Sequence, residues 1–208
     1  MSEAARKYEY TARELPKVFQ KPLPLDGYTY AEYKTWDEDF RFELEDGIPF
    51  MMGSGDEYHQ WVITNLGSQL TFQLLGKKCQ PYVEWDVRLF YEADESDNTV
   101  YRPDVIVVCD EAKTKGHKTC QGAPDFVIEI VSEWSEARDL VTKRKKYEKA
   151  GVKEYWVMDE GELYVFVLEG GKFKELKLKI NRDLRQPVSC LEGCVIDFQY
   201  IVDRYAGE

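Results

Sequence analysis

Two acidic residues stand where acids are costly. Asp104 heads the run Val105-Ile106-Val107-Val108, and Glu129 sits inside Phe126-Val127-Ile128-Glu129-Ile130-Val131. Both runs are short and rich in β-branched residues, the pattern of buried strands. A carboxylate among such neighbours loses hydration, and a cation or hydrogen-bond donors must offset the loss. Strict alternation puts Val127, Glu129 and Val131 on one face, so Glu129 has apolar neighbours there. A glutamate on a solvated strand face is the competing reading, and the apolar flanks weigh toward chemistry. If the two strands pair, Asp104 and Glu129 can share a divalent cation. Oxygen ligands of this kind suit Mg²⁺ or Mn²⁺, with the carbonyl of Ile130 as a natural extra ligand. A lysine nearby could orient a water or lower its pKa. Metal-assisted phosphodiester hydrolysis needs this set, with acids for the ion and a cation for the nucleophile or the growing charge.

The elements that must position these acids are legible around them. After Glu129, Arg138 to Ala150 contains no Gly or Pro, with Ser135 as N-cap and Gly151 where a helix C′ residue belongs, which predicts a helix. Glu154 to Met158 then predicts the next strand, giving strand, helix, strand. On the helix, Asp139, Lys143 and Tyr147 are spaced i, i+4, i+8 and lie near one line. Spacing alone makes Asp139 and Lys143 a surface ion pair worth a few tenths of a kcal/mol. The sharper alternative points Lys143 back toward Glu129.

Upstream, Tyr28 to Asp39 predicts a short helix with Tyr30, Tyr33 and Trp36 on one side. Phe40 to Met52 predicts a hairpin turning at Asp46-Gly47, with Glu43 opposite Phe42 and Leu44. Asp56 to Leu75 repeats Tyr58, Trp61, Val62, Leu66, Leu70 and Leu74 at three and four, a helix with His59 in its first turn. Most histidines so placed are ordinary polar residues, and His59 is kept as a candidate acting behind the acids. Cys79 to Tyr91 predicts one strand or two short ones, and Tyr101 to Val108 the next, begun by Pro103. Lys172 to Ile180 alternates lysine with apolar residues and follows Gly170-Gly171, an exposed hairpin with a charged edge. Residues 1 to 27 read as an N-terminal arm with a short helix near Glu9 to Glu14, and residues 28 to 208 as a single domain.

The 208 residues carry a net charge of −11, with 43% hydrophobic and 32% charged residues. That describes a globular protein and argues against broad nonspecific nucleic-acid binding, since phosphate affinity comes from Lys and Arg. The charge is uneven, however. Residues 138 to 149 hold Arg138, Lys143, Arg144, Lys145, Lys146 and Lys149 against Asp139 and Glu148. Such a patch can steer a polyanion, although a solvated helix face is the commoner explanation. Cys79, Cys109, Cys120, Cys190 and Cys194 form no CxxC and read as reduced thiols, not a zinc site. With no apolar run long enough for a membrane and no apolar leader, the expected location is cytoplasmic.

Several of these features line up with one known family. Pro103-Asp104, then Pro124-Asp125-x-Val127-x-Glu129-Ile130-x-Ser132, then Asp139, Lys143, Tyr147 and Ala150-Gly151-Val152-x-Glu154-Tyr155-Trp156-x-x-Asp159 resemble the Uma-two family of restriction-endonuclease-like proteins. Phe42-Glu43-Leu44-x-Asp46-Gly47 and the helix beginning near His59 match it too. The resemblance covers about residues 28 to 200. It implies the PD-(D/E)XK nuclease superfamily, an α+β fold with a restriction-endonuclease-like mixed sheet flanked by helices and additional antiparallel hairpins, and a divalent-metal site. The superfamily's lysine, two residues after the strand glutamate, is replaced here by Val131. The Uma-two pattern carries a lysine on the following helix, at Lys143, and this reverses the preference for a surface pair. By resemblance, Asp104 and Glu129 are metal ligands, Lys143 the migrated catalytic lysine and Glu43 a third acid. Glu133-Trp134 departs from the Ser-Pro-Ser of many relatives in the loop entering the helix.

The expected function is therefore a Mg²⁺- or Mn²⁺-dependent endonuclease acting on DNA, as a homodimer because cutting two strands favours two-fold symmetry. The alternatives are a catalytically silent binding or assembly module and a metal-dependent hydrolase of another phosphate substrate.

Overall fold

The computed structural model of the chain describes residues 17–36, 40–131, 137–159 and 161–205. The elements run α1 (Tyr30–Tyr33), β1 (Phe42–Glu45), β2 (Ile48–Met51), α2 (Glu57–Leu74), β3 (Gln80–Val83), β4 (Val87–Arg88), β5 (Val100–Tyr101), β6 (Val105–Val108), β7 (Cys120–Gln121) and β8 (Phe126–Ile130). A π-helical segment (Arg138–Lys143) leads into α3 (Arg144–Ala150), followed by β9 (Glu154–Met158), β10 (Glu162–Glu169), β11 (Lys172–Lys179), β12 (Arg185–Pro187), β13 (Val195–Asp197) and α4 (Gln199–Tyr205). The chain divides into two compact units, one of residues up to 53 with 92–100, the other of 54–91 with 101 onward.

The larger unit is built on a six-stranded mixed sheet of order β11-β10-β9-β8-β6-β3. Only β8 and β9 are parallel, joined by the helical crossover that parallel neighbours require. Alternation along the strands divides the core in two. Phe126, Ile128, Trp156 and Met158 pack with Val62, Leu66 and Leu70 of α2. Val127, Tyr155, Val157 and Phe166 pack on the other side with Tyr147 of α3. The sheet is covered on both faces, which explains why β8 and β9 are buried at every position.

Helix α2 forms as the apolar spacing predicts. Asp56 caps it by accepting from the His59 N–H at 2.9 Å, and Val62, Ile63, Leu66, Leu70 and Leu74 are buried. A Cβ on Gly67 would stand 3.0 Å from Val83 Cγ2, so the glycine lets the helix close on β3. Gly151, at φ 85°, ends α3 in the left-handed conformation, its N–H reaching the Tyr147 and Glu148 carbonyls at 3.1 Å.

In the smaller unit β1 and β2 form the predicted hairpin, with Asp46 at φ 48° and Gly47 at φ 79° in the turn. Leu44 pairs with Val100. Gly27 and Gly47 pass so closely that a Cβ on Gly27 would stand 2.8 Å from the Gly47 Cα.

Several expectations are corrected. The helix expected over Tyr28 to Asp39 is only Tyr30–Tyr33, and residues 37 to 39 lie outside the described residues. Instead of continuing a helix, Trp36 turns edge-on to Tyr28 and Phe42, at 5.3 Å from each ring. The helix expected near Glu9 to Glu14 and the Ser135 cap also lie outside the described residues. The run Tyr101 to Val108 is broken around Pro103, which lacks the N–H a ladder needs. The cysteines are not all thiols. Cys79 and Cys109 form a disulfide, since they extend the β3–β6 register in which Gln80 faces Val108. Cys120, Cys190 and Cys194 remain free.

Candidate active site

Glu129 lies on β8 on the face it shares with Val127, and that face meets the helical crossover. Glu129 is 4% exposed, and so are Lys143 and Asp139. Lys143 Nζ donates to Glu129 Oε1 at 2.9 Å and lies 3.2 Å from Asp139 Oδ1. The Tyr147 hydroxyl donates to the same Glu129 Oε1 at 2.9 Å. Asp139, Lys143 and Tyr147 thus present one inward line to a buried glutamate, and the surface ion pair suggested by spacing alone is not what forms. The ammonium also stands 5.3 Å from the centre of the buried Tyr101 ring.

The wide turn that carries these groups is the π-helical segment. Wide turns of this kind recur at functional sites because they re-aim side chains without ending the helix. Here Asp139 and Lys143 both face inward from its two ends, and the Asp139 carbonyl accepts from the buried Tyr155 hydroxyl at 3.2 Å.

Asp104 precedes β6. In the β6–β8 ladder Val105 faces Ile128, so Asp104 stands opposite Glu129 one step further along. Its Oδ2 accepts from the Ile130 N–H at 2.6 Å, completing the ladder with a side chain where the strand has ended. Its Oδ1 lies 3.2 Å from Nε2 of His59. Burial pulls the His59 pKa down, but the hydrogen bond and charge of Asp104 outweigh it, and the net shift is upward. Gly55 passes under the imidazole, where a Cβ would stand 2.3 Å from Nδ1.

The larger unit therefore brings together Asp104, Glu129 and Lys143 of the expected residues, together with the main chain of Ile130. Glu43 is buried, 1% exposed, on β1 of the smaller unit. Tyr147, Asp139 and His59 complete the cluster. Their signals in sequence were the i, i+4, i+8 line and the first-turn histidine, but nothing in the spacing ordered them around Glu129.

The donor set suits a hard divalent ion. Two carboxylates on adjacent strands offer oxygen only, and Mg²⁺ commonly takes one or two carboxylates with waters and substrate phosphate completing its shell. Among the described residues no group of three or more His, Cys, Asp or Glu gathers as a metal cage, so any ion would be held by this smaller set.

Mixed sheet, crossover helix and paired strand acids define a restriction-endonuclease-like protein. Comparison with known proteins agrees: the Uma2 family, described as "Putative restriction endonuclease", matches residues 30–199, and the chain belongs to that family. A crystal structure described as "a putative nuclease belonging to DUF820", from Anabaena variabilis, shares 15% identity at a TM-score of 0.67. The match covers 85% of this chain and 98% of that one, and establishes the fold. A cryo-electron microscopy structure of a DrdV–DNA complex shares 14% identity over 57% of this chain and 10% of that one, with a TM-score of 0.35. No curated protein matches.

Proposed function

We propose that this protein is a divalent-metal-dependent endonuclease that hydrolyses DNA phosphodiester bonds. The observation that carries the reading is the buried Glu129 carboxylate, held by Lys143 and Tyr147 and set opposite Asp104. A structural glutamate would need only neutralisation. This one shares its lysine with a second buried acid and faces a third across the ladder, a concentration of charge that folding alone would not favour.

Asp104 and Glu129, with the Ile130 carbonyl, would hold Mg²⁺ or Mn²⁺, which supplies Lewis acidity toward a phosphate and a water. The remaining work falls to the chain. Lys143, steered by Glu129 and Asp139, orients the attacking water or meets negative charge growing on the phosphate. Tyr147 fixes the Glu129 carboxylate. His59 and the Ile130 N–H fix the two oxygens of Asp104. Glu43 is proposed as a third acid of the site. The enzyme acts as a homodimer in the cytoplasm. For that compartment the Cys79–Cys109 disulfide is the contrary sign, because cytosolic reductants disfavour such bonds.

The test is cleavage of supercoiled plasmid and single-stranded DNA in Mg²⁺ and Mn²⁺, wild type beside Glu129→Gln. We expect metal-dependent cutting that falls on the order of a hundredfold or more in the variant. A folded wild type that neither cuts nor binds Mn²⁺ in calorimetry would leave a catalytically silent binding module. Mn²⁺ binding without cutting would leave a hydrolase of another phosphate substrate.

A further inference from the structure

The basic segment that follows Glu129 is not an isolated helix face. Glu148 of α3 accepts from Lys172 Nζ at 2.9 Å and from the Phe173 N–H at 2.7 Å, and Arg144 lies 3.5 Å from Glu175. These contacts join the outer side of α3 to β11. Residues 144–149 and 172–179, far apart in sequence, thereby form one surface. On the α3 side those stretches hold Arg144, Lys145, Lys146, Lys149, Lys172, Lys177 and Lys179 against Glu148 and Glu175, in a chain of 28 cations and 39 acids, while Lys174 lies on the other face of β11 with its partner Val167.

Lysines on β11 have an ordinary explanation, because charge on an edge strand discourages pairing with other chains. Lys145 and Lys149 on α3 have no such duty. Both are exposed, one helical turn apart. Lys149 stands 5.3 Å over the Phe90 ring and Arg144 5.4 Å over Phe166, so aromatic faces hold the row in place. A groove runs between helix and hairpin, lined by the rings of Phe166 and Phe173 and by Arg144, Lys145, Lys149 and Lys172, which outnumber its two acids, Glu148 and Glu175. Within this surface Lys172 pairs with Glu148, Arg144 with Glu175 and Lys177 with Glu162, and Lys145 and Lys149 add exposed positive charge beyond those pairs.

We infer that the outer side of α3 with β11 is the surface that grips the sugar–phosphate backbone of duplex DNA. The inference rests on the nuclease reading for its choice of polyanion. Helix α3 then has two faces, one turned inward through Tyr147 to Glu129 and one outward to substrate. Because the contacts are to phosphates, binding through this surface is independent of base sequence and steeply salt-dependent.

The test is fluorescence anisotropy of a labelled duplex in EDTA, titrated across salt. Wild type is compared with the double variant Lys145→Glu/Lys149→Glu and with Lys115→Glu, an exposed lysine of the same unit outside this surface. Circular dichroism checks that all are folded. We expect the double variant to bind about tenfold or more weakly and its log K against log salt slope to fall by about two, with Lys115→Glu near wild type. Wild-type affinity and slope in the double variant overturn the inference, as does an equal loss in Lys115→Glu. Absence of wild-type binding at low salt also overturns it, and plasmid cutting by the same preparation would leave the nuclease reading intact. Binding that depends on Lys145 and Lys149 without any cutting keeps the surface and removes the nuclease.

Discussion

At the scale of single residues, the centre of the molecule is a lysine between two buried acids. Lys143, Glu129 and Asp139 are each nearly inaccessible, so each charge depends on the others. Removing the shared cation leaves two carboxylates unneutralised, whereas removing one acid leaves the lysine paired. Lys143→Ala should therefore destabilise the fold by about 3–5 kcal/mol. Asp139→Asn, which keeps a polar partner and the Glu129 pair, should cost about 1–3 kcal/mol. Urea unfolding of both variants checks the order, and equal costs would mean that Lys143 does not bridge the two acids. Glu129 was read from sequence because it interrupts an apolar run, and Asp104 because it heads one. Lys143 was not: at i, i+4 from Asp139 it has the spacing of many solvent-exposed pairs, and only the family resemblance set it inward.

At the scale of elements, β9 carries a second buried acid with a different task. Glu154 accepts from the Trp156 indole at 2.7 Å and the Cys190 N–H at 3.0 Å, tying the strand to the segment that leads into β13. Burial pushes its pKa up, against the opposing effect of those hydrogen bonds. A carboxyl with a raised folded pKa binds its proton more tightly in the folded state. Its contribution is therefore greatest below the unfolded value of about 4.3 and is lost as pH rises through the folded one. The stability of wild type relative to Glu154→Gln should fall from pH 4 to pH 7. Paired urea titrations across that range test this, and a difference that stays flat or grows would refute it. Strand identity was legible here from β-branched and aromatic residues. The role of Glu154 was not, because the partner that explains it lies 36 residues away.

At the scale of the whole molecule, charge and assembly matter most. A chain with a net charge of −11 repels DNA at long range except where a local surface reverses the sign, so weak and salt-sensitive association is expected. The proposed homodimer is a statement at the same scale. Sedimentation velocity at micromolar concentration, with and without a duplex, should show a two-fold increase in mass in at least one condition. A monomer in both would withdraw it. Among the described residues no helix is long and apolar enough to cross a membrane.

The sequence by itself determined the elements whose signals are local. Asp46-Gly47 placed a turn, the three-and-four spacing from Tyr58 to Leu74 placed a helix, β-branched runs placed β6 and β8, and the short apolar run Tyr155-Trp156-Val157-Met158 placed β9. It also determined that Asp104 and Glu129 need partners, because an acid in an apolar run is costly wherever the chain goes. The tertiary structure decided which partners they have. The β6–β8 register sets Asp104 opposite Glu129, the crossover swings Lys143 and Tyr147 onto the same carboxylate, and β3–β6 pairing brings Cys79 to Cys109. Each is a contact between residues distant in sequence. Such contacts depend on strand order and register, and no local pattern of residue types carries that information.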